Sequence, residues 1–285
     1  MKTTDLLAEI LKKNNLRSAF GLQGGAVVHI FDSFIKKKID ITFTHHEQSA
    51  ALAAVSYAKS VNGIGCAIVT TGPGTTNAIT GLLSAWQDSI PVIFISGQAR
   101  SIHTSYKKKV RQVGTQETNI CDIVRPITKY STFIDNTKNF QHEVEKAIKI
   151  AISGRPGPVW IDIALDIQWQ NLKNIKSVKK IFPEKKTFYQ NHQINKSIDL
   201  INKSKNPLFV FGYGVILSGI NNKAIKKLIK DKHIPCTLTW NTADLLETSN
   251  KFNLGIIGMS GQRGANKAIF NSDLLVCLGN HLSIP

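Results

Sequence analysis

Ile64-Gly65-Cys66-Ala67-Ile68-Val69-Thr70-Thr71-Gly72-Pro73-Gly74-Thr75-Thr76-Asn77 decides the fold class. Ile64–Thr70 is a short, continuously apolar run, the pattern of a strand buried on both faces. It halts at Gly72-Pro73-Gly74, and Thr75–Trp86 resumes as a helix. A buried strand followed within a few residues by a helix is the repeating piece of a parallel sheet covered on both sides.

The alternation extends in both directions. Upstream, residues 4–15 place Leu6, Leu7, Ile10 and Leu11 on one helical face. Ser18–Phe20 reads as a strand that breaks at Gly21, 26–37 as a helix, Ile41–Thr44 as a strand and Glu47–Ser60 as an Ala-rich helix. Downstream, Pro91–Ser96 is another apolar strand, and Lys129–Ile134, a helix near 138–152 and Pro158–Ile163 complete a doubly wound α/β unit over residues 1–170. Between them, 97–116 is polar and without period, and a long loop inside a compact α/β domain more often carries function than idles. Residues 171–190, Lys-rich and aperiodic, read as a linker. A second, Rossmann-like α/β unit spans 191–285. It holds a helix near 192–203, a strand at Leu208–Gly212 running into Gly212-Tyr213-Gly214, and a helix near 220–230. A strand at Cys236–Thr239, a Gly-rich stretch at 255–264, a helix at 265–271 and a strand at Asp273–Leu278 follow. That last strand ends shortly before Pro285, so the second unit is expected to be incomplete.

Composition bounds the function classes. A length of 285 residues with 42% hydrophobic content supports two ordinary cores. No apolar run approaches the roughly 20 residues that span a bilayer, and the N-terminus lacks the apolar centre of a signal peptide. Cys66, Cys121, Cys236 and Cys277 lie far apart with no CxxC, so buried reduced thiols are expected, not a metal site. A cytoplasmic protein with no membrane partner follows. The net charge of +17 raises the question of nucleic acid. However, only six of the 36 basic residues are Arg, the lysines are spread along the chain, and no aromatics interleave with the clusters at Lys36–Lys38 and Lys107–Lys109. No nucleic-acid partner is expected.

In an open parallel sheet, ligands bind beyond the carboxyl ends of the strands. Three segments converge there: Gly21–Gly25, His45–Gln48 and Thr70–Asn77. The Gly-Pro-Gly turn reads either as a cradle for an anion at a helix N-terminus or as a plain strand-to-helix turn with Thr75 as N-cap. It lacks the Lys of a P-loop. Glu47 reads either as a first-turn acid complementing the helix dipole or as a functional carboxylate. His45 and His46 are adjacent at a strand end, where side chains diverge, so they make a poor metal pair.

Taken together, these segments resemble the pyrimidine-binding domain of the acetolactate synthase-like family of thiamine diphosphate-dependent enzymes. Phe20–Gly25 resembles the family's FGxPGG turn, His46-Glu47-Gln48 its RHEQ segment, and Thr70–Asn77 its TSGPGATN loop. Asp88-Ser89-Ile90-Pro91, Ser96-Gly97-Gln98, Gln116-Glu117, Arg125–Lys129 and Gly154–Val159 follow in the family's order. Pro207–Gly214, Leu254–Met259 and Asp273–Gly279 resemble its central domain. The resemblance covers the whole chain but only about half of a family member. The part left out includes the diphosphate-binding domain, whose Gly-Asp-Gly…Asn motif is not found here.

The resemblance implies a carboligase or decarboxylase acting on 2-oxo acids, present as its N-terminal half. Glu47 would be the catalytic carboxylate that hydrogen-bonds the aminopyrimidine ring of thiamine diphosphate. Gln116 would touch the reacting substrate. Gly24 and Gly25 would let the backbone approach the cofactor, and Thr70, Pro73 and Asn77 would line its pyrimidine pocket. The diphosphate is not expected on the Gly72–Gly74 turn; it and Mg²⁺ would be held by ligands outside this chain. The resemblance allows FAD on the central domain, with Gly212, Gly214 and Thr239 as candidate contacts. It implies a homodimer or tetramer, or a partner chain that carries the diphosphate-binding domain, and an isolated chain that is inactive. The alternative is a non-catalytic fragment or subunit in need of such a partner. Gln23 in place of Pro, His45 in place of Arg and Thr115 in place of Phe depart from the pattern and leave the substrate open.

Overall fold

The computed structural model describes all residues except 107, 109, 174, 185–189, 221 and 283–285. The ends of the Lys107–Lys109 cluster, positions 174 and 185–189 of the stretch read as a linker, and position 221 of the helix read near 220–230 therefore lie outside the described residues. The chain divides into two compact units, Met1–Lys186 and Thr187–Pro285.

In the first unit, α1 (Thr3–Lys13) leads into β1 (Ser18–Gly21), α2 (Val28–Lys36), β2 (Asp40–Phe43), α3 (Glu47–Val61) and β3 (Gly65–Val69). Then come α4 (Pro73–Asn77), α5 (Ile79–Gln87), β4 (Val92–Gln98), α6 (Ile120–Val124), β5 (Tyr130–Ile134), α7 (Phe140–Ile152), β6 (Val159–Ala164) and α8 (Leu165–Gln168). The six strands form one parallel sheet in the order β2-β1-β3-β4-β6-β5. Every residue of β3, β4 and β6 is buried, as largely apolar runs require of central strands, and Ser96, Gln98 and Asp162 are the polar residues among them. β2 is the more exposed edge. From β1 the chain passes first to one side, to β2, and then to the other, to β3, so the direction of winding reverses between β1 and β3. The crevice at their carboxyl ends is where such a fold places ligands.

The predicted face of α1, Leu6, Leu7, Ile10 and Leu11, lies in the core under this sheet with Ile30 and Phe34 of α2 and Val144 and Ile148 of α7. Part of the stretch read as a linker packs on that core: Leu172, Ile175, Val178 and Ile181 are partly buried against it. Gln141 clamps Lys176 by two backbone bonds, and Asn14 Oδ1 accepts from the Ile181 amide at 2.7 Å. The contacts recur every third residue, an interval that neither the helical nor the strand period detects.

Two local expectations change. The helix read as Thr75–Trp86 begins at Pro73, in the favoured first position, and is interrupted at Ala78. The Thr75 and Thr76 hydroxyls donate back to the Gly72 and Pro73 carbonyls, at 2.6 and 3.1 Å, which competes with the helical ladder. Thr75 is thus not the N-cap; Gly72 holds that place, with φ +64°.

The second unit contains α9 (Asn191–Lys203), β7 (Pro207–Phe211), α10 (Gly214–Leu217), α11 (Asn222–Lys232), β8 (Cys236–Leu238), β9 (Asn253–Ile256), α12 (Arg263–Asn271) and β10 (Leu274–Leu278). Its parallel sheet has the order β10-β7-β8-β9. Strand β9 overlaps the stretch read only as Gly-rich. Phe209, Phe211, Ile225, Ile229, Cys236 and Leu246 contribute to its core. Among the described residues, no helix is long and apolar enough to cross a membrane.

Gly97 shows how tightly the first unit closes over the sheet. A Cβ there would lie 1.7 Å from the Ala26 carbonyl oxygen, in the turn Gly25–Val27 that follows β1. Gly97→Ala is expected to destabilise the protein by about 3 kcal/mol or more, because backbone, not a flexible side-chain end, must move. Gly25→Ala, whose added Cβ meets nothing within 4 Å, is the matched control and is expected to shift a thermal melt little.

Candidate functional site

Glu47 is the first residue of α3, directly after β2, and is 7% exposed. Its N-cap is His46, whose Nδ1 accepts from the Gln48 amide at 3.1 Å. That bond accounts for His46 without a metal, and among the described residues no group of three or more His, Cys, Asp and Glu could hold one. Asn77, at the end of α4, donates Nδ2 to Glu47 Oε2 at 3.0 Å. No hydrogen bond to Oε1 occurs among the described residues. A Cβ on Gly74 would stand 3.2 Å from Oε1, so the absence of that side chain keeps the approach open.

Thr70 stands beside this carboxylate, since a Cβ on Gly74 would meet Thr70 Cγ2 at 2.8 Å as well as Glu47 Oε1. Gly24 faces Thr70 so closely that a Cβ would lie 2.5 Å from Thr70 Cβ. The turns after β1 and β3 therefore meet backbone to side chain. Pro73 is exposed at the head of α4, and Gly25 opens the turn after β1. Gln116 is exposed and takes φ +58°, rare for a residue with a side chain. Its carbonyl oxygen lies where a Cβ on Gly72 would fall, at 2.2 Å. Gly72, with positive φ and that neighbour, admits no other residue without rearrangement. The structure thus brings Gln116 to the Gly-Pro-Gly turn through its backbone; it records no bond between Gln116 and Glu47.

Sequence reasoning missed the polar cluster behind this turn. Asp162, fully buried on β6, lies opposite Ser96 of β4 in register. It accepts from Ser96 Oγ at 2.6 Å, Gln98 Nε2 at 3.0 Å and Tyr106 OH at 3.0 Å. Burial raises its pKa to about 6, against the pull of those three donors. Burial, and then the neighbouring Asp162, pushes the Tyr106 phenol upward as well. Tyr106 stacks on Phe133 with ring centroids 4.2 Å apart. The loop between β4 and α6 is tied at further points: Glu117 accepts from the Ser105 and Val113 amides, and Asp166 from the Ser101 amide and hydroxyl. The signal for Asp162 was present as one carboxylate inside the apolar run Val159–Ala164.

In the second unit, the Gly212 and Gly214 amides donate to the Leu278 and Gly279 carbonyls. The Thr239 hydroxyl lies 3.3 Å from the Thr242 hydroxyl in a capping box. These three residues, read as nucleotide contacts, are thus engaged with their own chain.

Residues 1–123 match the family described as "Thiamine pyrophosphate enzyme, N-terminal TPP binding domain", and residues 194–284 match "Thiamine pyrophosphate enzyme, central domain". The chain is 32% identical to a probable acetolactate synthase large subunit of Methanococcus aeolicus, over 99% of this chain and 47% of that protein. It is 32% identical to the acetolactate synthase large subunit of Haemophilus influenzae, over 96% of this chain and 48% of that protein. It is 30% identical to the mitochondrial acetolactate synthase catalytic subunit of Saccharomyces cerevisiae, over 95% of this chain and 40% of that protein. The chain spans about half the length of the curated relatives it matches.

Asp162 yields a pH dependence of stability. Its folded pKa of about 6 lies above the ordinary 3.8, so the folded state holds the proton more tightly. The favourable contribution is complete below the unfolded pKa and is lost as pH rises through the folded one. Asp162→Asn cannot titrate. The stability of the variant relative to the native protein is expected to rise from pH 4 to pH 6 by up to about 1.4 kcal/mol per pH unit, then level off. Denaturant titrations at half-unit intervals measure this; a difference flat in pH would contradict it.

Proposed function

We propose that this chain, which belongs to the thiamine pyrophosphate enzyme family, is the cofactor-activating half of an acetolactate synthase-like carboligase or decarboxylase of 2-oxo acids. Glu47 is the carboxylate that engages the aminopyrimidine ring. The observation that carries this reading is the state of that carboxylate: nearly buried, fixed through Oε2 by Asn77, and with Oε1 left unbonded under Gly74.

The residues present fit thiamine diphosphate. A flat heterocycle needs walls without projecting side chains, and Gly24 and Gly74 supply them beside Thr70. A ring nitrogen needs an acid at hydrogen-bond reach, and Oε1 has a free acceptor position. When bound, thiamine diphosphate supplies the electron sink for breaking a carbon–carbon bond next to a carbonyl. With the cofactor bound, Glu47 would engage the ring nitrogen by a hydrogen bond at Oε1, from a nearly buried position. Asn77 keeps the carboxylate from rotating, so that Oε1 rather than Oε2 faces the ring. Gly24, Gly25, Thr70, Pro73 and Asn77 line the pyrimidine pocket, and Gln116, exposed at the rim, meets the 2-oxo acid.

The remaining parts of the enzyme lie elsewhere. Mg²⁺ and the diphosphate are held by a diphosphate-binding domain, supplied by further residues of the same polypeptide or by another chain. The site is completed in a homodimer, a tetramer or such a mixed assembly. FAD, if the second unit holds it, needs contacts other than the amides of Gly212 and Gly214, which are already bonded. The compartment is the cytoplasm.

Glu47→Gln in the complete enzyme is expected to lower kcat by roughly 10²-fold or more, with an unchanged melting temperature. Release of CO2 from 2-oxo acids, pyruvate first, measures it. Activity retained within a few-fold would overturn the assignment of Glu47.

A further inference from the structure

Gln98 is fully buried at the carboxyl end of β4, and its amide is completely used. Nε2 donates to Asp162 Oδ2 at 3.0 Å and to the Thr118 carbonyl at 2.8 Å. Oε1 accepts from the Thr71 hydroxyl at 2.7 Å and from the Ala99 amide at 3.0 Å. Two donors and two acceptor positions are all that a carboxamide offers. Asp162 has no ion-pair partner among the described residues, and with its other oxygen taken by Ser96 it fixes which end of the amide points inward. The carbonyl end therefore points to Thr71.

These bonds bracket Gln116 in space. Thr71 precedes the Gly72 that packs on the Gln116 carbonyl, and the Thr71 hydroxyl lies 3.3 Å from that same oxygen. Thr118 lies two residues beyond Gln116. Glu117, between them, is anchored by the Ser105 and Val113 amides. A residue held at φ +58° persists only when its surroundings over-determine it.

We propose that Gln98 is a positioning residue: oriented by Asp162, it holds Thr71 and Thr118 on either side of Gln116 and thereby fixes where the Gln116 side chain enters the substrate site. The inference rests on the reading that Gln116 meets the substrate. Gln98 itself touches no substrate; it acts through the backbone of the loop. The loop is long and polar, and its ordering depends on a few buried bonds, so the loss of one is felt at Gln116. Misplacement of a contacting group by about 1 Å is enough to cost up to 10²-fold in rate.

The test uses the complete enzyme with four variants: Gln98→Leu, Thr71→Val, Gln116→Ala and the double variant of Gln98→Leu with Gln116→Ala. Thr71→Val removes one hydroxyl at constant shape and keeps the test alive should Gln98→Leu not fold. Pyruvate is the probe substrate, thiamine diphosphate affinity is read by quenching of protein fluorescence, and hydrogen exchange is followed over residues 99–118. Gln98→Leu and Thr71→Val are expected to lower kcat/KM roughly 10- to 100-fold with cofactor affinity unchanged. Exchange near Gln116–Thr118 is expected to be faster in both. In the Gln116→Ala background, Gln98→Leu is expected to add less than about 2-fold, because the two act as one unit. Multiplicative losses in the double variant, or unchanged exchange at Gln116–Thr118, would overturn the positioning role while leaving Gln116 as a substrate contact. Full activity of Gln116→Ala would overturn it differently, by removing the reading on which it rests.

Discussion

A parallel sheet brings every strand's carboxyl end to one edge, and here β3, β4 and β6 are buried along their whole length. The chain leaving them cannot spread sideways beneath the covering helices, so the turns pile on one another. Each close meeting is made at a position without a side chain. Gly97 takes the Ala26 carbonyl, Gly72 the Gln116 carbonyl and Gly24 the Thr70 side chain. The site is the by-product of that crowding: once the three turns are pressed together, the head of α3 and the end of α4 meet, and Glu47 and Asn77 come into hydrogen-bond contact.

Four carboxylates sit around this edge, and their surroundings divide their duties. Glu117 and Asp166 have both oxygens occupied by amides or hydroxyls of the β4–α6 loop, so they act as staples. Asp162 receives three donors in full burial and serves as an internal anchor. Glu47 alone of the four keeps an oxygen without a hydrogen bond among the described residues. Reactivity toward a ligand requires a lone pair that the protein has not already used, and burial makes that lone pair count for more. The same reasoning removes His46, whose Nδ1 is bound by the Gln48 amide.

The continuous apolar runs made the central strands readable, because a strand buried on both faces has no polar partner to alternate with. Glu47, Asn77 and Gly24 were singled out from motifs, and the structure adds the Asn77–Glu47 bond and the close approach of Gly24 to Thr70. Other features depend on contacts between distant residues and leave no local trace. The break at Ala78 comes from two threonine hydroxyls turning back on the helix, although Thr75 reads equally well as a cap. Strand β9 is four residues long with every position only partly buried, so glycine hid it. The packing of Leu172, Ile175, Val178 and Ile181 follows an interval of three, which is neither the strand period of 2 nor the helical period of 3.6.

Asp162 falls between these cases. A single acid in an apolar strand is visible in the sequence, but its meaning requires Ser96 across the register, Gln98 two residues on and Tyr106 from the loop. Reading Pro158–Ile163 as a strand of a sheet covered on both faces already implied that Asp162 must find donors, since an uncompensated buried charge is too costly to keep. Those donors had to come from neighbouring strand ends or from the loop above them. The polar, aperiodic loop at 97–116, read as functional, also has a structural role: it adds the Tyr106 hydroxyl to the Ser96 and Gln98 donors that β4 gives Asp162. The hydrogen bonds around this one buried carboxylate extend through Gln98 to Thr71 and Thr118, and through Thr71 to the backbone of the exposed Gln116.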